Sequence, residues 1–108
     1  MEILLTQSVI FYPSEQKVVV NGNDIQLTKK ESGLLDILYK NKNLTVYRSE
    51  VLTELWGEDN YFNGRSMDVY ICRLRKIFKS LESVEIVSVH GIGHKLMITP
   101  KNGNHGTK

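Results

Sequence analysis

Cationic side chains crowd into one segment of the chain, and they are the residues best suited to chemistry. Between Gly64 and Ser80 a single acid, Asp68, stands among five cations. The cations are Arg65, Arg73, Arg75, Lys76 and Lys79. The segment from Glu50 to Asp59 is the reverse, with four acids and no cation. The net charge of +2 is too small to identify a partner, but this segregation of charge indicates a surface for a polyanion.

The cationic segment also has the periodicity of a helix, predicted from Gly64 to Leu81. On a helical wheel its large apolar residues share an arc of about 120°, as expected of a core-facing stripe. They are Met67, Tyr70, Ile71, Leu74, Ile77, Phe78 and Leu81. The opposite side carries Arg65, Val69, Cys72, Arg73, Lys76 and Lys79. Cations mixed with small neutral residues favour a helix that reads a DNA groove; the alternative is the solvated face of a packed helix.

The elements before and after this helix predict how it is positioned. Four short β-prone runs within residues 1–27 predict an antiparallel meander. A capping box at Thr28 and Glu31 begins a first helix that ends near residues 40–43. A possible short strand, residues 44–47, precedes a second helix from Arg48 to Trp56, and residues 58–63 are predicted to be a polar loop. A hairpin follows the third helix, with strands 85–89 and 94–98 and a turn at 90–93.

This order predicts an α+β fold, a winged helix-turn-helix with an N-terminal four-stranded antiparallel sheet, three helices and a C-terminal β-hairpin wing. In such a fold the third helix enters the major groove, and the wing lies on the adjacent minor groove or backbone. Residues 1–98 are predicted to form one domain, followed by a flexible polar tail at 99–108.

Other classes of protein receive little support. No apolar run is long enough to span a bilayer and no signal peptide is recognisable, while the single cysteine, Cys72, fits a reducing compartment, so a cytoplasmic location without membrane contact is expected. No nucleophile motif or phosphate loop indicates an enzyme, and no cofactor is expected. A zinc site at His90 and His94 is disfavoured because the pair lies on a turn and a strand. Cys72 as a redox-sensing thiol stays an alternative.

Several short motifs, taken in order, resemble the DNA-binding output domain of OmpR/PhoB-type response regulators. The resemblance covers about residues 2–98. The residues that carry it are Leu27, Thr28, Glu31, Leu34, Leu35, Arg48, Leu52, Leu55-Trp56-Gly57, Arg65 to Val69, Ile71, Leu74-Arg75-Lys76 and Val89 to His94.

The resemblance implies transcription regulation in a bacterial two-component phosphorelay, with binding to direct-repeat double-stranded DNA as a head-to-tail homodimer. It places Arg65, Cys72, Arg73 and Arg75 of the third helix, and Ser88, His90 and His94 of the wing, at or near DNA. Ser66, Val69, Lys76 and Lys79 complete the predicted DNA-binding set. The loop of Glu58, Asp59, Asn60, Tyr61 and Phe62 is the implied contact for RNA polymerase. The family's receiver domain is expected to be absent, since the chain is too short to hold one.

Four positions depart from the family pattern. Histidines stand at 90 and 94, where the family commonly has arginine and tyrosine, Cys72 replaces a polar or basic residue, and Ser32 replaces an aromatic one. Both wing histidines are expected to face solvent. His90 is expected to weaken wing insertion at neutral pH, because an unperturbed histidine is mostly neutral there, and to make DNA affinity depend on pH. A winged helix that has lost DNA binding and contacts protein through residues 58–62 is the remaining alternative.

Overall fold

The computed structural model describes residues 2–99, so the predicted tail lies almost wholly outside the described residues. The elements are β1 (Ile3–Thr6), β2 (Val9–Tyr12), β3 (Lys17–Val20), β4 (Asn23–Gln26), α1 (Lys29–Lys40), β5 (Val46–Tyr47), α2 (Arg48–Trp56), α3 (Tyr61–Phe78), β6 (Val84–Val89) and β7 (Gly93–Ile98), with a 3-10 turn at Pro13–Glu15. The predicted α+β winged helix-turn-helix is confirmed.

The N-terminal sheet is the predicted meander, in the order β1-β2-β3-β4 with every neighbouring pair antiparallel. Val9 pairs with Val20, and Phe11 with Val18, so the alternation of side chains along the strands turns these four residues to one buried face. Asn21 and Gly22 alone form the turn between β3 and β4. Both have positive φ, as in the two-residue Asn-Gly loops that match the twist of a hairpin.

Helix α1 begins with the predicted capping box. The Thr28 hydroxyl accepts from the Glu31 amide at 3.1 Å, and the Thr28 amide donates to the Glu31 carboxylate at 2.8 Å. Leu34, Leu35 and Leu38 are fully buried. Ser32 is also buried, and its hydroxyl donates to the Pro13 carbonyl at 3.4 Å.

Helix α3 starts and ends earlier than predicted. The side chain of Asn60 caps it by accepting from the Asn63 amide at 2.8 Å, so Tyr61 and Phe62 belong to its first turn and not to a loop. The helix was predicted to begin at Gly64, whereas Asn60, a preferred N-cap residue, marks the true start. The helix ends at Phe78, since the Leu81 amide bonds to the Phe78 carbonyl in a tight turn.

The core face of α3 is as predicted. Met67, Ile71, Leu74 and Phe78 are buried. The other predicted members, Tyr70, Ile77 and Leu81, are half-buried at the edge of the core. Burying one face of α3 leaves the other face outward, which decides what the helix can present to a partner.

A second sheet, in the order β5-β7-β6, carries the C-terminal hairpin, which we call the wing (residues 84–98). The predicted strand at 44–47 is confirmed only for Val46 and Tyr47. A Cβ atom at Gly93 would lie 1.9 Å from the Val46 carbonyl oxygen, so only glycine allows the backbones of β5 and β7 to pair this closely.

Candidate nucleic-acid interface

A line of exposed side chains runs along the outer face of α3. Arg65, Val69, Cys72 and Lys76 follow each other at helical spacings of four, three and four, and all four are exposed. We call this line the exposed stripe. Lys79 is exposed just beyond the last residue of the helix. Cations therefore stand at the two ends of the stripe, and two small uncharged residues form its centre.

The cations of this face have no protein partner within residues 2–99. No ion pair or side-chain hydrogen bond joins Arg65, Lys76 or Lys79 to another residue of that range. Val69, the apolar residue of the stripe, is 66% exposed. Ser66 is half-buried beside the stripe. The stripe thus offers unpaired positive charge and an apolar contact to an outside partner.

Arg73 differs from these cations, although the wheel grouped it with them. Its guanidinium donates to both carboxylate oxygens of Glu31, at 2.9 and 2.8 Å, and to the Gln26 carbonyl at 3.2 Å. Glu31 is only 2% exposed, and a buried carboxylate requires such a partner. The resemblance places Arg73 at or near DNA, but in the structure its guanidinium already binds Glu31 of α1. Glu31 and Arg73 are 42 residues apart, and no local pattern signals the pair.

Arg75 joins the helix to the wing. Its Nε donates to the Ile86 carbonyl at 3.0 Å, and its guanidinium also donates to the Ser88 hydroxyl. Both acceptors lie on β6. The side chain thus fixes the direction in which the wing leaves the helix.

Arg48 is a central residue of the site that reasoning from the residues did not explain. Its guanidinium donates to Asp68 at 2.7 Å and to the Gly64 carbonyl at 2.9 Å, and its backbone amide donates to the Ile92 carbonyl at 3.1 Å. A Cβ at Gly64 would lie 2.9 Å from the Arg48 guanidinium, so the glycine leaves the space that this side chain fills. Arg48 therefore holds α2, α3 and the wing turn together. Its signal in the sequence was its position at the start of α2, one turn before the buried Val51 and Leu52.

The two wing histidines have different surroundings. His90 is exposed at the turn, as expected, next to Gly91 at φ 74° and to Ile92, which is 48% exposed. His94 is 8% exposed, so the expectation that it faces solvent is wrong. It lies on the same face of β7 as the fully buried Leu96, and the alternation of the strand could have revealed this.

Burial and charge act on His94 in the same direction. Burial lowers the pKa of its imidazole, and the guanidinium groups of Arg48 and Arg75 lower that pKa further, against a smaller opposing effect of Asp68. Its Nδ1 lies 3.2 Å from the hydroxyl of Ser88, which is itself exposed. His94 is thus a neutral buried ring under the wing and is not placed for direct contact with a backbone phosphate.

Residues 58–62, the acidic aromatic segment, lie at the N-terminal end of α3. Glu58 and Asp59 are exposed, Asn60 is half-buried as the helix cap, and Tyr61 and Phe62 are 73% and 79% exposed. The two rings meet edge to face with centroids 5.6 Å apart. This pair is the largest exposed aromatic feature of residues 2–99, and it points away from the core.

Within 2–99, no three His, Cys, Asp or Glu side chains gather closely enough to hold a metal ion. Among the helices in this part of the chain, none is long and apolar enough to cross a membrane. Cys72 is an exposed free thiol.

Comparison with known proteins gives consistent matches. The family profile described as "Transcriptional regulatory protein, C terminal" matches residues 22–96. Transcriptional regulatory protein RprY of Bacteroides fragilis (strain YCH46) is 45% identical over 91 residues, which are 84% of this chain and 38% of that protein. Response regulator ArlR of Staphylococcus aureus (strain Mu50) is 38% identical over 79 residues, 72% of this chain and 36% of that protein. The chain therefore spans less than two-fifths of the length of these curated relatives.

Solved structures agree with the fold. The DNA-binding domain of CpxR from E. coli superposes with a TM-score of 0.76 at 19% identity, covering 94% of this chain and 99% of that one. The Klebsiella pneumoniae RstA DNA-binding domain, solved in complex with the RstA box, gives 0.72 at 26% identity, covering 89% of this chain and 96% of that one.

Proposed function

The chain belongs to the family of transcriptional regulatory protein C-terminal domains, and we propose that it binds double-stranded DNA in a sequence-specific way and regulates transcription as the output domain of a two-component response regulator. The observation that carries this proposal is the exposed stripe. Its cations have no partner within residues 2–99, and it lies on a helix that three neighbouring elements hold in place.

The stripe supports a division of labour in the major groove. Arg65, Lys76 and Lys79 contact phosphates or guanines, as cations do at the edge of a groove. Val69 and Cys72 are small enough to let the helix approach the base edges, and Ser66 lies beside them. Arg73 and Arg75 are proposed to act through the protein, since they bind Glu31 and the wing and thereby fix how α3 is presented.

The wing is proposed to lie on the adjacent minor groove or backbone. His90 and Ile92 are exposed at its tip, and Ser88 is exposed on β6. Because His94 is buried, it is proposed to contribute to binding by positioning the wing, without contacting DNA itself.

The partners beyond DNA follow from family membership. We propose that two copies bind a direct repeat head to tail, that the whole regulator works in the bacterial cytoplasm, and that Glu58 to Phe62 contact RNA polymerase. The exposed Tyr61–Phe62 pair beside two acids supports the last of these, because exposed aromatic clusters are common at protein interfaces.

An unbiased selection of DNA by the 108-residue chain tests the proposal. Enrichment of two similar half-sites about one helical turn apart, bound more weakly as salt rises, is the expected result. A failure to enrich any sequence at low salt would contradict it.

The exposed aromatic pair also supports a second candidate function, a winged helix that contacts only protein. Salt separates the two, because several phosphate contacts give a steep dependence on salt, whereas a contact centred on Tyr61 and Phe62 is mainly apolar. A partner protein bound equally at low and high salt, with no DNA bound, would favour this second function.

A further inference from the structure

His94 lies where the wing, α2 and α3 meet. On β7 it is registered against Ser88 of β6 and Val46 of β5. The charged groups that act on it are Arg48 of α2 together with Asp68 and Arg75 of α3. His94 is only 8% exposed, so a charge on its ring would lie inside the junction between the wing and α3.

The hydrogen bonds at this junction run in one direction. A guanidinium can only donate, so the Ser88 hydroxyl accepts from Arg75. The hydroxyl proton of Ser88 is then available to Nδ1 of His94, 3.2 Å away. The polarising guanidinium makes the hydroxyl a better donor, which strengthens this direction. A neutral ring that accepts at Nδ1 carries its proton on Nε2.

A protonated ring does not fit this chain. Both ring nitrogens then donate, so the Ser88 oxygen accepts from the Nδ1 proton as well as from Arg75, and two positively charged groups are held against one hydroxyl. The Nε2 atom is buried and has no acceptor within residues 2–99. In the neutral ring this nitrogen is an uncharged N–H donor, whereas in the protonated ring it is part of a cation close to Arg48 and Arg75. An unpaired buried group costs more free energy when it is charged.

We propose that the hydrogen-bonded series Arg75–Ser88–His94 positions the wing on α3 while His94 is neutral. We propose further that protonation of His94 in mild acid loosens the wing and weakens DNA binding. The role of the wing in DNA binding rests on the proposed function. The loosening of the wing does not, because it is a property of the protein without DNA.

The sign follows from the two states of the ring. In the closed wing, burial and then Arg48 and Arg75 lower the pKa of His94, whereas a loosened wing returns the imidazole to its ordinary value of about 6.5. The loosened state therefore binds the proton more tightly. The contribution to wing closure is complete above about pH 6.5 and declines as the pH falls below that value.

The first test uses the 108-residue chain without DNA. Nitrogen NMR of the imidazoles is expected to show His94 with its proton on Nε2 at about pH 7.5. The Arg48 amide donates to the Ile92 carbonyl in the turn of the wing. After correction for intrinsic exchange, its hydrogen-exchange protection is expected to fall as the pH is lowered from about 6.5 to 5.5. A proton on Nδ1, or protection that does not change with pH, would overturn the proposal.

A matched pair of variants distinguishes an effect of the Arg75–Ser88–His94 hydrogen bonds from an effect on the stability of the whole domain. Ser88 is exposed, so Ser88→Ala and Ser88→Thr are both expected to fold. Ser88→Thr keeps the hydroxyl and should retain the pH dependence of Arg48 protection. Ser88→Ala removes the link and should lose the protection already at neutral pH. Equal protection of the Arg48 amide in the two variants at every pH would overturn the proposed role of the Ser88 hydroxyl.

The second test measures affinity for the selected DNA at constant ionic strength across the same pH range. The wild type and His90→Gln are expected to lose about three- to tenfold more affinity in acid than His94→Gln, whose side chain does not titrate in this range. An acid loss that persists in His94→Gln and disappears in His90→Gln would overturn the proposal. If no DNA binds at any pH while the NMR results are as expected, the proposed function is wrong, and the loosening of the wing on protonation of His94 is still supported.

Discussion

Two sets of cations on the helix-turn-helix carry the same charge and have different surroundings. On the outer face of α3, Arg65, Lys76 and Lys79 are exposed and have no partner within residues 2–99. On the inner flanks, Arg48, Arg73 and Arg75 bind α3 itself, α1 and the wing. We call these three the engaged arginines. The difference shows that charge alone does not assign a cation to DNA: the outer set is available to a ligand, and the engaged arginines decide how α3 is presented.

Gly93→Ala is expected to have the largest effect, because it disrupts the frame that the engaged arginines hold. The new Cβ would lie 1.9 Å from the Val46 carbonyl oxygen, so β5 and β7 would have to separate. A loss of roughly 3 kcal/mol or more in the free energy of unfolding is expected, measured by urea denaturation. Gly91→Asn is the control, since a Cβ at Gly91 meets nothing within 4 Å and asparagine tolerates its positive φ. Equal losses for the two variants would contradict the close approach.

Arg73→Ala tests the engaged set directly. It leaves the buried carboxylate of Glu31 without its bidentate partner, and since Arg73 is itself partly exposed, the expected loss is about 2–3 kcal/mol of unfolding free energy. Arg65→Ala is the matched control from the outer face and should change that free energy by less than about 0.5 kcal/mol. Similar stabilities for the two variants would remove the distinction between the sets.

Arg65→Ala is expected to act on binding. Because Arg65 stands at one end of the exposed stripe, its loss should cost about 1–3 kcal/mol of DNA-binding free energy, measured by fluorescence anisotropy on the selected sequence. Glu82→Ala, an exposed residue beyond the end of α3, is the control. An unchanged affinity for Arg65→Ala would place the stripe outside the interface.

Tyr61→Ala is expected to have the smallest effect on the domain. The ring is 73% exposed, so both the unfolding free energy, within about 0.5 kcal/mol, and DNA affinity should stay near wild type. Transcription from a promoter that carries the selected site should fall if the Tyr61–Phe62 pair meets polymerase. Reduced DNA affinity in this variant would instead assign the pair to the DNA interface.

The sequence was informative where the interactions are local. The capping box at Thr28 and Glu31 and the apolar stripe of α3 follow from spacings of three and four residues, and both were predicted. The partners of the engaged arginines were not. Glu31 and Arg73 lie 42 positions apart, and the contacts of Arg48 with Asp68 and Ile92 appear only once three elements have packed.

The helical wheel grouped Arg73 with the outward-facing cations, and its limits explain why the contact with Glu31 was not predicted. It separates a buried face from an outer one, but a long side chain at the boundary can reach either. His94 is the opposite case: the alternation of β7 places it on the same buried face as Leu96, although it was expected to face solvent.

The salt dependence of DNA affinity in Lys79→Ala and Arg73→Ala tests the central claim most directly. Each is compared with the wild type on the selected site, at a temperature where both variants are folded. If the outer cations contact phosphate and the engaged arginines hold the frame, the slope of log affinity against log salt should shrink by about one in Lys79→Ala and stay unchanged in Arg73→Ala. A reduced slope in Arg73→Ala with an unchanged slope in Lys79→Ala would contradict the account.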